Sequence, residues 1–247
     1  MTTFYAFLVQ LLLISFLLRE DKNNGGPGLF RKQIWGPLHA LVLVSSINAI
    51  TIIGNYLLRY AVARYLVHMS PYVFHLLYSI PLIILLRYQI RQGIAVFGFR
   101  ANWTHICMAM MIVLAWHSVL SSILYFVKGP AALDPVILRP LRQLSTIHYA
   151  LYLFAFVIFA PVIEEMIFRG FLYSPYRKKY GPLWAIILNT LLFALNHSMG
   201  TLGTTFSYGL IYGGLYEKTE SIVPPIIAHS SVNLLIILTP SVIKLLN

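Results

Sequence analysis

Acidic residues are scarce in this chain, which has seven Asp and Glu among 247 residues, against 18 Lys and Arg. Only 10% of the residues are charged and 59% are hydrophobic, whereas an ordinary soluble domain is roughly a quarter charged. So few charges cannot cover a soluble globule, and the composition excludes that class. The net charge of +11 does not indicate a nucleic-acid partner, because the basic residues lie between apolar runs instead of on one polar module.

Cysteine is almost absent as well. The single Cys107 excludes an internal disulfide and any multi-cysteine metal site. We interpret it as a small hydrophobic residue within an apolar helix.

Apolar runs close to the length of about 20 residues that a bilayer requires recur along the chain, separated by breaks with Gly, Pro or Lys/Arg. The pattern predicts an all-α, polytopic integral membrane protein with about eight transmembrane helices. Seven or nine spans remain alternatives, because no charge separates the sixth run from the seventh. The predicted spans are 3–18, 38–58, 72–86, 103–127, 146–168, 182–198, 204–216 and 222–246.

Lys and Arg are more frequent in the loops after the odd-numbered spans than in the other loops. Cytoplasmic loops collect positive charge, so the loop after Phe168 is predicted to be cytoplasmic. Spans flanked by Lys and Arg, with one cysteine in the chain, fit a bacterial plasma membrane.

Two neighbouring carboxylates, Glu164 and Glu165, lie inside an apolar stretch, where each ionisable group costs roughly 2.5 to 3.5 kcal/mol. Glu165 and Arg169 are four residues apart, so on a helix they share a face and form an ion pair. Glu164 points to another side of the helix and has no basic partner at that spacing, which makes it a candidate general base or acid. Pro161 is expected to disrupt the helix just before it. The alternative is structural: both carboxylates reach the interface, or Arg169 neutralises them.

Further polar residues follow at His197, His229 and Asn233. His229 and Asn233 are four residues apart and therefore lie on one helical face. Each histidine alone is compatible with a hydrogen-bonded helix interface. Together with Glu164 they supply an acid/base group, two imidazoles and a neutral donor, the groups needed for hydrolysis by activated water.

Three ordered motifs, EEMIFR at 164–169, FALNH at 193–197 and HSSVN at 229–233, resemble the EExxxR, FxxxH and HxxxN motifs of CPBP intramembrane proteases. That family includes type II CAAX prenyl endopeptidases and proteins linked to bacteriocin processing and self-immunity. The resemblance implies that Glu164 and His197 activate water. It also implies that His229 and Asn233 stabilise the oxyanion, with Glu165 and Arg169 in support. It divides the chain into residues 1–141, transmembrane helices without a motif, and 142–247, a catalytic core.

The resemblance leaves open whether the active site holds a metal ion. Glu164, His197 and His229 would supply three ligands of a catalytic zinc site. The chain has no HExxH motif, in which a separate glutamate serves as base. We therefore favour a mechanism without a cofactor and keep zinc as the alternative.

The expected partners are the lipid bilayer and a membrane-associated peptide or protein substrate. A role in bacteriocin self-immunity or peptide maturation is the narrower hypothesis. Two other classes remain: a non-catalytic membrane scaffold or immunity factor that binds a partner protein, and a proton-coupled transporter that uses Glu164 and the histidines as a relay. The lack of internal repeats in the sequence disfavours the transporter.

Overall fold

The computed structural model of the protein describes residues 98–99, 102–133 and 146–246, and all regular elements within these ranges are helical. The predicted spans 3–18, 38–58 and 72–86 lie outside the described residues. The α-helices are α1 (Trp103–Lys128), α2 (Thr146–Phe154), α3 (Ala160–Glu165), α4 (Tyr173–Leu195), α5 (Leu202–Thr219) and α6 (Val223–Leu246). Two π-helical segments, Ala155–Phe159 and Met166–Leu172, join α2 to α3 and α3 to α4, and short 3₁₀ turns follow α1 and precede α5.

Three helical segments of the described chain are long and apolar enough to cross a membrane: Trp103–Lys128, Tyr149–Leu195 and Val223–Pro240. The predicted all-α fold is therefore confirmed for these residues. The total of about eight spans stays a prediction.

Helix α1 shows how local sequence defines one of these segments. The Asn102 side chain accepts a hydrogen bond from the backbone N–H of Thr104 at 2.9 Å and so caps the first turn. Gly129 ends the helix with φ of +76°, a conformation that glycine adopts without strain. Its buried face is spaced every three or four residues and consists of Ile106, Ala109, Val113 and His117.

The helix that carries both glutamates does not end at Phe168. The π-helical segment and the first part of α4 continue it to Tyr180, and the chain then turns at Gly181, where φ is +81° and ψ is 175°. Pro182 starts the returning half of α4, and proline fits the first position of a helix. The predicted loop after Phe168 is therefore helical. Arg169, the first residue after Phe168, is fully buried.

The turn at Gly181 lies almost midway in the chain between Glu164 and His197. The helical segments before and after this turn, the outgoing and returning arms, run antiparallel. Residues at equal distances from the turn in sequence therefore lie at the same depth. The rings of Phe168 and Phe193 accordingly lie 5.2 Å apart, and Asn189 on the returning arm donates to the carbonyl of Phe168 at 2.7 Å. A span ending at Phe168 would have left Glu164 and His197 at opposite ends of their helices.

Helix α5 packs against the returning arm of α4 through glycines. A Cβ atom at Gly209 would lie 2.8 Å from Cγ2 of Thr190 and 3.2 Å from Cδ1 of Phe193. A Cβ atom at Gly213 would lie 3.2 Å from Cγ2 of Ile186. Small residues at such positions let two helices approach closely inside a membrane.

We expect Gly209→Ala to destabilise the protein by about 1 to 3 kcal/mol, because the added methyl group must push α5 away from the stiff side chain of Thr190. Gly214→Ala on the same helix is the matched control, since a Cβ atom there meets nothing within 4 Å. That change should leave stability equal or slightly higher, because alanine favours helix over glycine. Thermal unfolding of the detergent-purified variants measures both effects, and equal midpoints for the two would contradict the close packing.

Candidate active site

Three of the residues singled out in the sequence converge from three different helical segments. Oε2 of Glu164 on α3 lies 3.8 Å from Nε2 of His197, which follows α4, and 4.0 Å from Nε2 of His229 on α6. His229 is buried, whereas the side chains of Glu164 and His197 are 27% and 33% exposed. The site is therefore closed on the His229 side and open beside Glu164 and His197.

The hydrogen bonds of the two imidazoles define their proton positions. Nδ1 of His197 lies 2.9 Å from the carbonyl oxygen of Phe193, which can only accept, so Nδ1 carries the hydrogen. Nδ1 of His229 lies 2.9 Å from Oε1 of Glu165, an ionised acceptor, and donates to it. In the neutral imidazoles both Nε2 atoms are therefore acceptors that face Glu164.

Glu165 and Arg169 form the ion pair expected from their spacing. Nη1 of Arg169 lies 2.9 Å from Oε1 of Glu165, and both side chains have no exposed surface. The sequence did not indicate that the same oxygen also accepts from His229. Glu165 therefore orients one imidazole of the site, which is the usual task of a carboxylate behind a functional histidine.

Arg169 is enclosed by protein groups on several sides. Its Nη2 donates to the carbonyl of Gly209 at 3.1 Å. Its guanidinium carbon lies 4.8 Å from the ring centroid of Phe193 and 5.4 Å from that of Tyr212, within cation–π range. The buried charge is thus balanced by one carboxylate, one carbonyl and two aromatic faces.

Asn233 is held one turn further along α6 by a backbone group. Its Nδ2 donates to the carbonyl of Phe156 at 2.8 Å. That carbonyl lies within the π-helical segment Ala155–Phe159, where the N–H of Ala160 donates to the carbonyl of Ala155 and the next residue, Pro161, has no N–H to donate. Pro161 therefore frees a carbonyl without breaking the helix, and Asn233 satisfies it. The second hydrogen on Nδ2 remains to donate elsewhere.

Sequence reasoning missed Tyr212 and Gly209, which lie outside the three motifs and contact Arg169. Their spacing on α5 offered no polar pattern to detect. His117, which also lies outside the three motifs, joins three helices: Nδ1 lies 2.9 Å from the hydroxyl of Tyr208 on α5, and Nε2 lies 3.0 Å from Oγ1 of Thr239 on α6.

Glu164, His197 and His229 are the residues that would hold a zinc ion. The two Nε2 atoms and the unpartnered Oε2 of Glu164 are suitable ligand atoms. Their separations of 3.8 and 4.0 Å exceed the distance of about 3.3 Å between two ligand atoms of a tetrahedral zinc with bonds near 2.0 Å. Across the described ranges, no group of three His, Cys, Asp or Glu side chains is placed to hold a metal ion.

Comparison with known proteins identifies the region that contains this site. No curated protein and no solved structure matches the chain. The model of one family, described as type II CAAX prenyl endopeptidase Rce1-like, matches residues 146–235. This stretch contains all six residues of the site, from Glu164 to Asn233. The match to residues 146–235 therefore confirms the resemblance of the three motifs to a family that includes type II CAAX prenyl endopeptidases.

Proposed function

We propose that this protein is an intramembrane endopeptidase that hydrolyses a peptide bond in a membrane-associated peptide or protein. Membership of an Rce1-like family implies a protease, and the apolar helices imply a membrane protein. The proposed catalytic residues and their chemistry rest on the geometry of the site.

The single observation that carries the proposal is the convergence of one carboxylate and two imidazoles in a membrane-embedded region. Such groups are costly among apolar helices, and ionisable residues found inside a membrane therefore indicate a functional site. Glu164 lacks any salt bridge to Lys or Arg among the described residues, and its Oε2 atom has no hydrogen-bond partner there. A purely structural carboxylate at this depth would be expected to have its partners in place.

In the proposed first step, a water molecule lies between Oε2 of Glu164 and Nε2 of His197. Both atoms are acceptors, so the water donates one hydrogen to each and directs a lone pair at the scissile carbonyl. Attack forms the new C–O bond, and Glu164 takes the proton that the water loses. The carbonyl oxygen becomes the oxyanion.

His229 and Asn233 are proposed to stabilise that oxyanion. The Nδ1 hydrogen of His229 is committed to Glu165, so its Nε2 donates only when the imidazole carries a second proton. Asn233 donates with its second Nδ2 hydrogen, since the first is held by Phe156. When the intermediate collapses, the C–N bond breaks and Glu164 passes its proton to the leaving amine. The second hydrogen of the water stays on the newly bound oxygen, so the products are a carboxylic acid, which then ionises in water, and an amine.

The wider arrangement remains part of the proposal. It comprises about eight membrane spans, with residues 1–141 as helices without a motif and 142–247 as the catalytic core. The turn at Gly181, which takes the place of the predicted loop after Phe168, is proposed to lie on the cytoplasmic side of a bacterial plasma membrane. Peptide maturation or bacteriocin self-immunity is the narrower role we propose, and it rests on the resemblance of the motifs. Zinc on Glu164, His197 and His229 is the alternative to activation by Glu164 without a cofactor.

Incubation of the detergent-purified protein with a farnesylated CAAX peptide, and with the same peptide lacking the lipid, tests the proposed activity. We expect mass spectrometry to detect a carboxyl-terminal fragment released from at least one of the two peptides. Cleavage of the farnesylated peptide alone would support a membrane-anchored substrate. If both peptides stay intact while a soluble protease cleaves them under the same conditions, the proposal is wrong and the scaffold hypothesis gains support.

A further inference from the structure

Tyr212, which lies outside the three sequence motifs, has the closest aromatic contact with His229. The two rings are nearly parallel, with an interplanar angle of 18° and centroids 4.9 Å apart. Phe193 meets the same imidazole edge-on at 5.6 Å. His229 is therefore held by a hydrogen bond at Nδ1, a stacked ring on one face and an aromatic edge.

These contacts restrict different motions of the imidazole. The bond from Nδ1 to Glu165 fixes one ring atom at 2.9 Å but leaves the ring able to tilt about that contact. A parallel ring on one face opposes that tilt, because the imidazole would have to pass through the phenol. The direction of Nε2 toward Glu164, 4.0 Å away, therefore depends on the hydrogen bond and the stack together.

Tyr212 is itself held firmly. Its side chain is 1% exposed, and the glycines on either side of it in α5, Gly209 and Gly213, bring the helix into close contact with α4. Tyr208 stacks on it from the preceding turn, with an interplanar angle of 17°. A ring fixed in this way is a rigid support for a neighbouring side chain.

Tyr212 also contacts the second group that binds Glu165. Oε1 of Glu165 accepts from both Arg169 and His229, and Tyr212 lies against both of these donors. A planar ring with a negative face suits this place, since it attracts the guanidinium and also an imidazole that has gained a second proton. An aliphatic side chain would fill the space without that attraction.

We propose that Tyr212 is a positioning residue of the active site, whose ring holds the imidazole of His229 so that Nε2 points at the reacting carbonyl. This inference rests on the proposed endopeptidase function. It assigns to the phenol ring, and not to its hydroxyl, a role that is exerted through His229.

Cleavage kinetics on the farnesylated CAAX peptide test the assignment, with rates expressed per amount of monodisperse protein. Tyr212→Phe keeps the ring and should remain within about threefold of the wild-type kcat, whereas Tyr212→Leu should lower kcat about 30-fold with little change in KM. Tyr212→Met, a flexible side chain of similar length, replaces the leucine variant if that variant does not fold. Tyr216→Leu is the matched control: Tyr216 is a buried tyrosine one turn further along α5 that packs on Tyr173, so its kcat should stay near wild type.

A double-mutant cycle separates positioning from general packing. In a His229→Ala background, Tyr212→Leu should lower the residual single-turnover rate by less than about twofold, since the ring that Tyr212 holds is gone. A full 30-fold loss in that background, or an unchanged kcat for Tyr212→Leu alone, would overturn the assignment while leaving the protease proposal intact. Failure of the wild-type protein to cleave either peptide would instead overturn the proposed function, and the role of Tyr212 with it.

Discussion

Glu164→Gln should lower kcat for the farnesylated CAAX peptide by about 10³-fold while leaving the protein folded. Glutamine has the same shape as glutamate but its amide cannot take a proton from water at neutral pH. Oε2 of Glu164 has no hydrogen-bond partner among the described residues, so the substitution removes no hydrogen bond of this atom to them. The thermal midpoint should stay the same or rise slightly, because an unpaired charge among apolar helices is costly.

Glu217→Gln is the matched control for that loss. Glu217 is also a glutamate on a membrane-region helix, but its carboxylate is held by Nε of Arg177 at 2.9 and 3.0 Å and by the hydroxyl of Tyr173 at 2.7 Å. Loss of this carboxylate should lower the thermal midpoint and leave kcat within about threefold of the wild-type value, the opposite of the result expected for Glu164→Gln. If Glu164→Gln keeps more than about a tenth of the wild-type kcat, Glu164 is not the group that activates water.

Arg169→Leu should cause the largest loss of folded protein among single substitutions in the site. Removing the guanidinium leaves the fully buried carboxylate of Glu165 without its cation. Breaking a buried pair on one side costs about 3 to 5 kcal/mol, which corresponds to a thermal midpoint lower by about 10 °C for a chain of this size. Thermal unfolding and the yield of monodisperse protein in detergent measure the effect.

Two further variants test whether the unpaired buried charge causes the loss of stability. Arg177→Leu removes a more exposed Arg–Glu pair from the same helix, whose side chains are 13% and 23% exposed, and should lower the midpoint by at most about a third as much. Glu165→Gln combined with Arg169→Leu should recover most of the stability, because no uncompensated charge remains. A single Arg169→Leu variant as stable as wild type would show that the pair does not hold the site together.

The amino-acid pattern was sufficient to predict the helical class of the described residues and the contact between Glu165 and Arg169. The apolar runs predicted α1, α5 and α6 closely, because lipid-facing helices require long uninterrupted apolar stretches. The spacing of Glu165 and Arg169 predicted their contact, since it depends only on helical geometry.

Other features depend on tertiary structure and could not be obtained in this way. The basic residues after Phe168 predicted a loop, yet the chain stays helical to Tyr180. Two of these cations have partners inside the protein: Arg169 pairs with Glu165, and Arg177 pairs with Glu217 on another helix. The link from His229 to Glu165 and the stack on Tyr212 join residues distant in sequence. The periodicity of the sequence cannot predict contacts between residues on different helices.

The central claim is that a water molecule activated at Glu164 becomes part of the product. Cleavage of the farnesylated CAAX peptide in water enriched in ¹⁸O tests it most directly, with the products analysed by mass spectrometry. The account predicts that the wild-type protein adds one ¹⁸O atom to the new terminal carboxylate, and that the labelled fragment is almost absent with Glu164→Gln. A fragment without the label, or equal amounts of labelled fragment from both proteins, would contradict it.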